Sequence, residues 1–517
     1  MKVERSSTTR PAPTTPALCS GMGVALALAS LPVLAQSASS STPQLFISTS
    51  FTASETYYDT QRARGYSGGE FVTELTPAVR ISGRLGPVEG SFDYSLSALH
   101  YSEGSQANGI VSNARNGLNT AFTITPLDNF AFIDVRAGIT QQSLTPFGEQ
   151  SVPGSSRPNS NLTEVYELSV SPYVRGSVSG LAEYTARLRA ASTNAQNSVS
   201  SDSTTVDASF ALNSTGGGVL GWGLSASRQR VDYRATGTTG TGRVDATIRG
   251  SPSPDLQLTA NVGRETTDVV GGVKRTYDVH GFGARWTPSE RTNVDFKTDQ
   301  RYFGRSWNLG LGYRTARTVW RYSNVKDAID GGGPSGVGRP LTLYDLYFNQ
   351  FASVMPDPVQ RERLVLDYLR SIGANPGASV GGGFLVETKT LQNRQDLSFA
   401  YQGQRASFNL LAYSNDNRAI DKTTNQATGD PVVTRGYLGT LSYRLTPVSS
   451  LSLTGNQTKT LSNQSNSGND LKSVSLNWSS QPSRRTTVSA GAGHTVFDRE
   501  VDGYRESFVR ASISLQF

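Results

Sequence analysis

The stretch VEGSFDYSLSA, residues 88–98, decides the class of fold. Val88, Gly90, Phe92, Tyr94, Leu96 and Ala98 are apolar or small, and Glu89, Ser91, Asp93, Ser95 and Ser97 fall between them. Alternation with period two marks a strand with one apolar and one polar face. The pattern returns at Val206, Ala208, Phe210 and Leu212; at Leu256, Leu258, Ala260 and Val262; and at Trp307, Leu309, Leu311 and Tyr313. It also closes the chain, at Val509, Ala511, Ile513, Leu515 and Phe517. A soluble sandwich would alternate in the same way, so the joints carry the decision. Tight joints near Gly86, Pro126, Gly176, Ser251, Pro288, Pro447 and Pro482 take turns with longer polar stretches such as 57–69, 143–160 and 418–431. Short turns at one end and long loops at the other are the transmembrane barrel arrangement.

Composition excludes the alternatives. Of 517 residues, 36% are hydrophobic and 17% charged, with 52 glycines, against about 45–50% and about 25% in ordinary soluble domains. After the first 35 positions no apolar run reaches the roughly 18 residues of a spanning helix. The expected fold is therefore all-β: a transmembrane antiparallel outer-membrane barrel of about 22 strands, within a range of roughly 18–24. An even count puts both chain ends on the periplasmic side, in the outer membrane of a Gram-negative bacterium.

Lys2, Arg5 and Arg10 precede an apolar stretch from Gly21 to Leu34, and Val33, Leu34 and Ala35 supply small or apolar residues before Gln36. That order predicts a secretory signal over 1–35, a short lead over 36–44 and the barrel over 45–517. Cys19 is the only cysteine, so no disulfide or thiolate chemistry is expected after cleavage. Removal of the signal lowers the net charge from +7 to about +5, too mild over so long a chain to argue for nucleic acid.

Residues 325–383 break the rhythm. Gly-rich stretches bound them, and two helical patterns lie between. In the first, Leu343, Leu346, Tyr347, Phe351 and Val354 share a face. In the second, Asp357 is an N-cap, Pro358 takes the first helical position, Gln360 completes a capping box and Gly373 supplies the stop. Val365, Leu366, Leu369 and Ile372 form its apolar face. Such a pair has two physical homes, the lumen or the outer rim, and Phe351, Asp357, Pro358, Leu366 and Leu369 are the insert and gate candidates.

His100, His280 and His494 are far apart, each in a strand pattern, and give no convergent metal set. No cofactor is expected and no linear catalytic motif is present. If the apolar parity faces lipid, Arg80, Arg136, Arg175, Arg187, Arg189, Arg249, Arg314, Arg321, Arg444 and Arg510 point inward, as do Glu74, Glu89, Asp93, Asp134, Glu167, Glu183, Asp207, Asp245 and Asp295. Pairing across strands that braces the wall is one use of these charges. A water-filled pore of mixed charge is the other, with Arg80, Arg136, Arg187, Arg189, Arg249, Arg314, Arg321 and Arg444 as lining candidates. Tyr57, Tyr58, Tyr101, Tyr302, Phe303, Trp307, Tyr313, Trp320 and Tyr322 read as interfacial girdle residues.

Several stretches resemble a known family: FVTELTPAVRISGRLGPVEGSFDYSL (71–96), DNFAFIDVRAGITQQSLTPFGEQ (128–150), YELSVSPYVRG (166–176), LGWGLSASRQRVDY (220–233) and RYFGRSWNLGLGYRTARTVWRYS (301–323). They are similar to the outer-membrane β-barrel family associated with the exosortase and PEP-CTERM protein-sorting system, from about Leu45 to Phe517. The resemblance implies a bacterium whose exosortase genes sit among those for exopolysaccharide biosynthesis, and it carries over no catalytic residue. Phe517 resembles the final aromatic read by the barrel assembly machinery.

The expectation is a passive outer-membrane pore that exports an exopolysaccharide, its partners being outer-membrane lipid, the assembly machinery, the polysaccharide and a periplasmic export partner. A receptor-type transporter also has about 22 strands, but it normally carries a large N-terminal plug, and strand one is read to begin about ten residues after the cleavage site. A structural or anchoring barrel is the second rival, for which a closed lumen would discriminate. An outer-membrane hydrolase, its residues converging from separate strands, is the third.

Overall fold

The computed structural model describes residues 44–517 except 64–66, 103–112, 153–154, 158, 216–218, 271, 330–340, 351–378 apart from Arg361, Val365, Leu366 and Leu369, then 381–383, 421–430, 463–467 and 500–502. The signal over 1–35 lies outside the described residues, as do Phe351, Asp357 and Pro358 of the insert.

The first strands are β1 (Gln44–Arg62), β2 (Gly68–Leu85), β3 (Val88–Tyr101), β4 (Ala114–Leu127), β5 (Ala131–Ser143), β6 (Leu162–Val178), β7 (Ala182–Ala195) and β8 (Ser203–Ser214). There follow β9 (Leu220–Tyr233), β10 (Gly237–Ser253), β11 (Leu256–Thr267), β12 (Arg275–Ser289), β13 (Thr292–Arg301), β14 (Gly304–Arg314) and β15 (Thr318–Ile329). Two short strands, β16 (Leu341–Thr342) and β17 (Ser379–Val380), pair with each other beside a helix α1 (Leu343–Gln350). The chain ends with β18 (Thr390–Gln402), β19 (Ala406–Ala419), β20 (Val432–Thr446), β21 (Ser449–Ser462), β22 (Asn469–Ser483), β23 (Thr486–Arg499) and β24 (Tyr504–Gln516).

All but β16 and β17 belong to one 22-stranded antiparallel sheet that closes on itself, because β1 pairs with β2 on one edge and with β24 on the other. Closure leaves no edge, so every strand has a partner on each side for its backbone N–H and C=O groups. That is the condition for crossing a bilayer with strands.

Facing follows the alternation read from the sequence. Ile248, Val262 and Val509 point outward with 64%, 63% and 62% of their surface exposed, and Leu258 and Leu311 share that face. Phe92, opposite Ile81, is on it too. The inner face carries Ser, Thr, Asn, Gly and many of the charged residues, while Arg228, Arg264 and Asp278 keep the outward parity. In water such an outer band would be an aggregation surface, whereas in lipid it is the apolar girdle of a transmembrane barrel.

Four of the tight joints share a device. Register shifts in the ladders fall at Ile124/Leu127, Gly250/Ser253, Trp286/Ser289 and Ser480/Ser483, around Pro126, Pro252, Pro288 and Pro482. Proline has no N–H to give a ladder, so it is tolerated where a bulge already interrupts pairing. Between Leu85 and Val88 the turn is two residues long, and Gly86 takes a φ of +59°, which the first position of such a turn requires and glycine accepts without strain.

Two boundaries differ from the sequence reading. The stretch 57–69 is mostly strand, because Tyr57–Thr60 still pair with Phe71–Gly68. The insert begins later and ends later than 325–383: Val325–Ile329 keep their partners Arg394–Thr390, so β15 runs on to Ile329 and the chain returns to the wall only at Thr390. The Gly-rich stretches mark where regular pairing stops less closely than the pairing itself does.

Candidate functional site

Among the described residues the interior departs from a plain cylinder in three places. All three start from the long-loop end, opposite the tight turns.

The first is the helical insert. Leu343 and Tyr347 of α1 pack with Val365 and Leu369, which are helical, against Leu411, Tyr413 and Leu438 of β19 and β20, with Tyr344 and Phe348 alongside. Those wall residues point inward: their neighbours Leu397 and Tyr437 are outward and exposed, and parity alternates. The Tyr347 and Thr440 hydroxyls are 3.3 Å apart, and the Arg361 guanidinium stands 4.7 Å over the Phe348 ring. Val365 and Leu369 are completely buried and Leu366 nearly so. Leu411 is only five residues into β19 from its tight turn, so the helices reach well down the lumen wall.

The second is the loop over residues 144–161 between β5 and β6. It leans along the inner rim and is tied to five other strands. The Arg62 guanidinium of β1 meets the Glu149 carboxylate in a two-pronged pair at 3.1 Å. Arg157 donates to Glu506 of β24 at 2.9 Å, pairs with Glu149 at 3.2 Å and lies 4.1 Å over the Tyr504 ring. Burial opposes the Arg157 charge, but Glu506, Tyr504 and Glu149 outweigh it and the guanidinium holds its proton more firmly than in water. Tyr58 and Ser156 share a hydrogen bond of 3.0 Å, Tyr101 donates to the Ser156 carbonyl at 3.3 Å and Arg115 of β4 donates to the Ser155 carbonyl at 2.8 Å. Asn469 of β22 donates to the Pro146 carbonyl at 2.9 Å.

The third is the return of the insert to the wall. Phe384 forms a parallel bridge with Ser143 at the end of β5, and the Leu385 N–H donates to the Ser143 carbonyl at 3.0 Å. Ser200 then donates to the Glu387 carboxylate, and Thr236 to the Glu387 carbonyl at 2.9 Å. Lys389, buried, donates to Gln229 of β9 at 3.2 Å, and Thr390 opens β18. On the ring, β5 and β18 stand eleven strands apart in either direction, so they are diametrically placed.

The distance this crossing can cover is short. Strands about 4.8 Å apart and tilted about 40° give a round 22-stranded barrel about 40 Å across. Six residues reach at most about 20 Å, so Ser143 and Thr390 lie within about 25 Å of each other. The mouth is drawn in across this direction to little more than half the width of a circle.

The wall itself is braced by charges. Arg187 meets Asp134 at 2.9 Å and stacks 4.0 Å over Tyr173, and Arg189 meets Asp207 at 3.1 Å. Arg243 binds Asp245 at 2.6 Å and Asp299 at 3.4 Å. Arg301 joins the fully buried Glu265 and, at 2.7 Å, Asp327. Register places every arginine and carboxylate expected inside on the inner face. Arg80 lies opposite Asp93, Arg249 reaches Asn213 at 3.5 Å, and Arg136, Arg314, Arg321 and Arg444 are exposed to the lumen.

Three aromatic residues correct the sequence reading. Tyr58 and Tyr101 are not girdle residues: they face inward and hold Ser156, and Tyr302 packs with Val269, Val270 and Ile420 where two loops meet. Tyr57, Tyr313 and Trp320 do face outward. Phe517 is 68% exposed, its N–H donating to the Thr49 carbonyl at 2.8 Å. The three histidines face outward on three separated strands, β3, β12 and β23. The loop over 144–161 was missed as part of the lumen, although its run of Arg, Glu, Asn and Gln was the signal for a segment bound to polar walls.

No family model matches the sequence, and no curated protein matches it. Among solved structures the chain is similar to the siderophore receptor PirA from Pseudomonas aeruginosa, with 12% identity over 92% of this chain and 81% of that one, at a TM-score of 0.42. It is also similar to the FrpB iron transporter from Neisseria meningitidis (F5-1 variant), with 12% identity over 90% and 82% of the two chains and a TM-score of 0.47. PirA from Acinetobacter baumannii gives 10% identity over 91% and 80%, at a TM-score of 0.43.

Proposed function

We propose that this outer-membrane barrel is a conduit for a hydrophilic polymer, with its outer mouth restricted by the insert. Following the family resemblance, the cargo is an exopolysaccharide leaving the cell. The observation that carries the reading is the contrast inside one barrel. The inner wall is polar and charged along its height, as a wet passage needs, while the insert helices and the 384–390 segment stand in the way at one end. A passage that is lined but narrowed is a gated one, which revises the expectation of a purely passive pore. On this reading the long-loop end faces outside, the tight-turn end faces the periplasm, and the barrel assembly machinery and a periplasmic export partner are its partners. No reaction is assigned to it.

The test is planar-bilayer conductance of the purified barrel beside a variant in which residues 330–389 are replaced by a short Gly-Ser linker. The variant is expected to assemble and to conduct several-fold more than the parent. Equal conductance in a correctly assembled variant would remove the insert from the passage. The second reading is a structural or anchoring barrel, favoured by the ties from the 144–161 loop to five strands. Absence of conductance in both proteins would favour it.

A further inference from the structure

The tight-turn rim is divided by charge. Over β2 to β11 the described turn residues include Asp128 and Asp255 and no lysine or arginine. Over β12 to β23 they are Arg291, Arg317, Arg405, Arg484 and Arg485 against Glu290 alone. The basic half continues inward. Arg321 lies opposite Ser398 and Gly312, Arg444 opposite Ser450, and their chain neighbours Trp320 and Tyr443 are outward and exposed, so both arginines face the lumen. Arg321 stands about 10 Å inside the rim at the usual rise and tilt of a strand. Among the described residues none of Arg317, Arg321, Arg405, Arg444, Arg484 and Arg485 has a carboxylate partner; Arg187, Arg189, Arg243 and Arg301 higher or across the barrel are paired, while Arg136, Arg175 and Arg249 across the barrel also lack a carboxylate but have no basic turn beneath them.

We propose that this basic arc, from the turns over β14 to β23 up to Arg321 and Arg444, is the entry site for a polyanion, so that the polymer carried is acidic, bearing carboxylate, phosphate or sulfate groups. The inference rests on the conduit reading and names its substrate class. Unpaired guanidinium groups repel one another and gain when an anion with many charges lies across them. The lumen-facing members select among partners. Phospholipid headgroups cannot reach the inside of a barrel, and an acidic protein seated on the rim would cover the turns without needing Arg321 or Arg444. A chain threaded from the rim upward meets turn and wall arginines in sequence. The acidic half of the rim turns it away, so its path runs along the sector beneath the helices on β19 and β20.

The experiment is binding of fluorescent alginate, a polyuronate, to the detergent-solubilised barrel, with neutral dextran of equal length as the control. Alginate is expected to bind, dextran not, and affinity should fall about tenfold from low to physiological salt. Arg321→Gln with Arg444→Gln should weaken binding about tenfold, as should Arg317→Gln with Arg405→Gln, while Arg228→Gln on the outward face should do nothing. Correct folding of each variant is read from its shift in gel mobility on boiling. Equal binding of dextran overturns the proposal, as does alginate binding that survives both double substitutions. Binding lost with the turn pair but kept with the wall pair overturns it too, in favour of a docking rim for an acidic protein. Alginate binding without conductance would sink the conduit and leave the arc; conductance with no alginate binding would sink the arc and leave the conduit.

Discussion

The ring of Tyr413 lies over Gly436 on the neighbouring strand, so closely that a Cβ on that glycine would stand 2.5 Å from the tyrosine Cζ and 2.6 Å from the Gln457 carbonyl. The glycine makes room for the ring, and the ring makes the surface on which α1 and its partner helix pack.

Gly436→Val is therefore expected to push Tyr413 off its seat and loosen the insert, at about 1–3 kcal/mol. The barrel should still show its mobility shift on boiling, while the insert becomes sensitive to limited proteolysis. Tyr413→Phe, which loses only the 2.9 Å bond to Thr458, should leave the insert protected. Identical digestion of all three proteins would detach the insert from this wall.

The outward face should tolerate charge poorly. Leu258→Arg or Leu311→Arg is expected to cost about 2–4 kcal/mol near the midplane of the bilayer. Gln257→Ser and Gly310→Ser, on the inner parity, should cost less than about 1 kcal/mol. Urea titration of the barrel folded into vesicles measures all four, and equal losses on the two parities would mean that the register is wrong.

Glu265 is fully buried between Arg301 and the wall. Glu265→Ala leaves a guanidinium that is 15% exposed with Asp327 as its remaining carboxylate among the described residues, and about 3 kcal/mol of stability should go with it. Glu265→Gln keeps an acceptor and should lose less. The same titration ranks them, and an unaffected alanine variant would show that Asp327 alone suffices for Arg301.

Arg157→Ala should free the 144–161 loop without unfolding the barrel. Among the described residues it leaves the buried Glu506 with Thr60 at 2.9 Å as its donor and costs about 1–3 kcal/mol. A Ser155→Cys reporter should then react faster with an impermeant maleimide, since the only natural cysteine is Cys19. Unchanged labelling would show that Tyr58, Tyr101 and Arg115 hold the loop by themselves.

The sequence made the wall legible and the interior only partly so. Phe92, Leu258 and Leu311 are outward because alternation is local: each residue's face is settled by its immediate neighbours. The expected inward charges, from Arg80 to Arg510, follow by the same rule. The helices were legible from their period, and their place was not, because lumen and rim offer apolar partners at the same spacing. What decides is the inward run Leu411, Tyr413 and Leu438, three apolar residues on the wet parity of two strands. The folding-in of the 144–161 loop rests on Glu506, Asn469, Tyr58 and Arg115, which are distant in sequence and share no period with it. The arginine arc is spread over separate turns, each unremarkable until closure sets them side by side.

The short run between Phe384 and Thr390 acts as a tie across a hoop. In an untied barrel, circumference fixes aperture, and adding strands widens the hole. Here the tie sets the shorter diameter whatever the perimeter, so further hairpins elsewhere in the wall would lengthen the mouth into a slot without opening it. Strand number then measures how much wall the protein can display, and six residues measure what can pass.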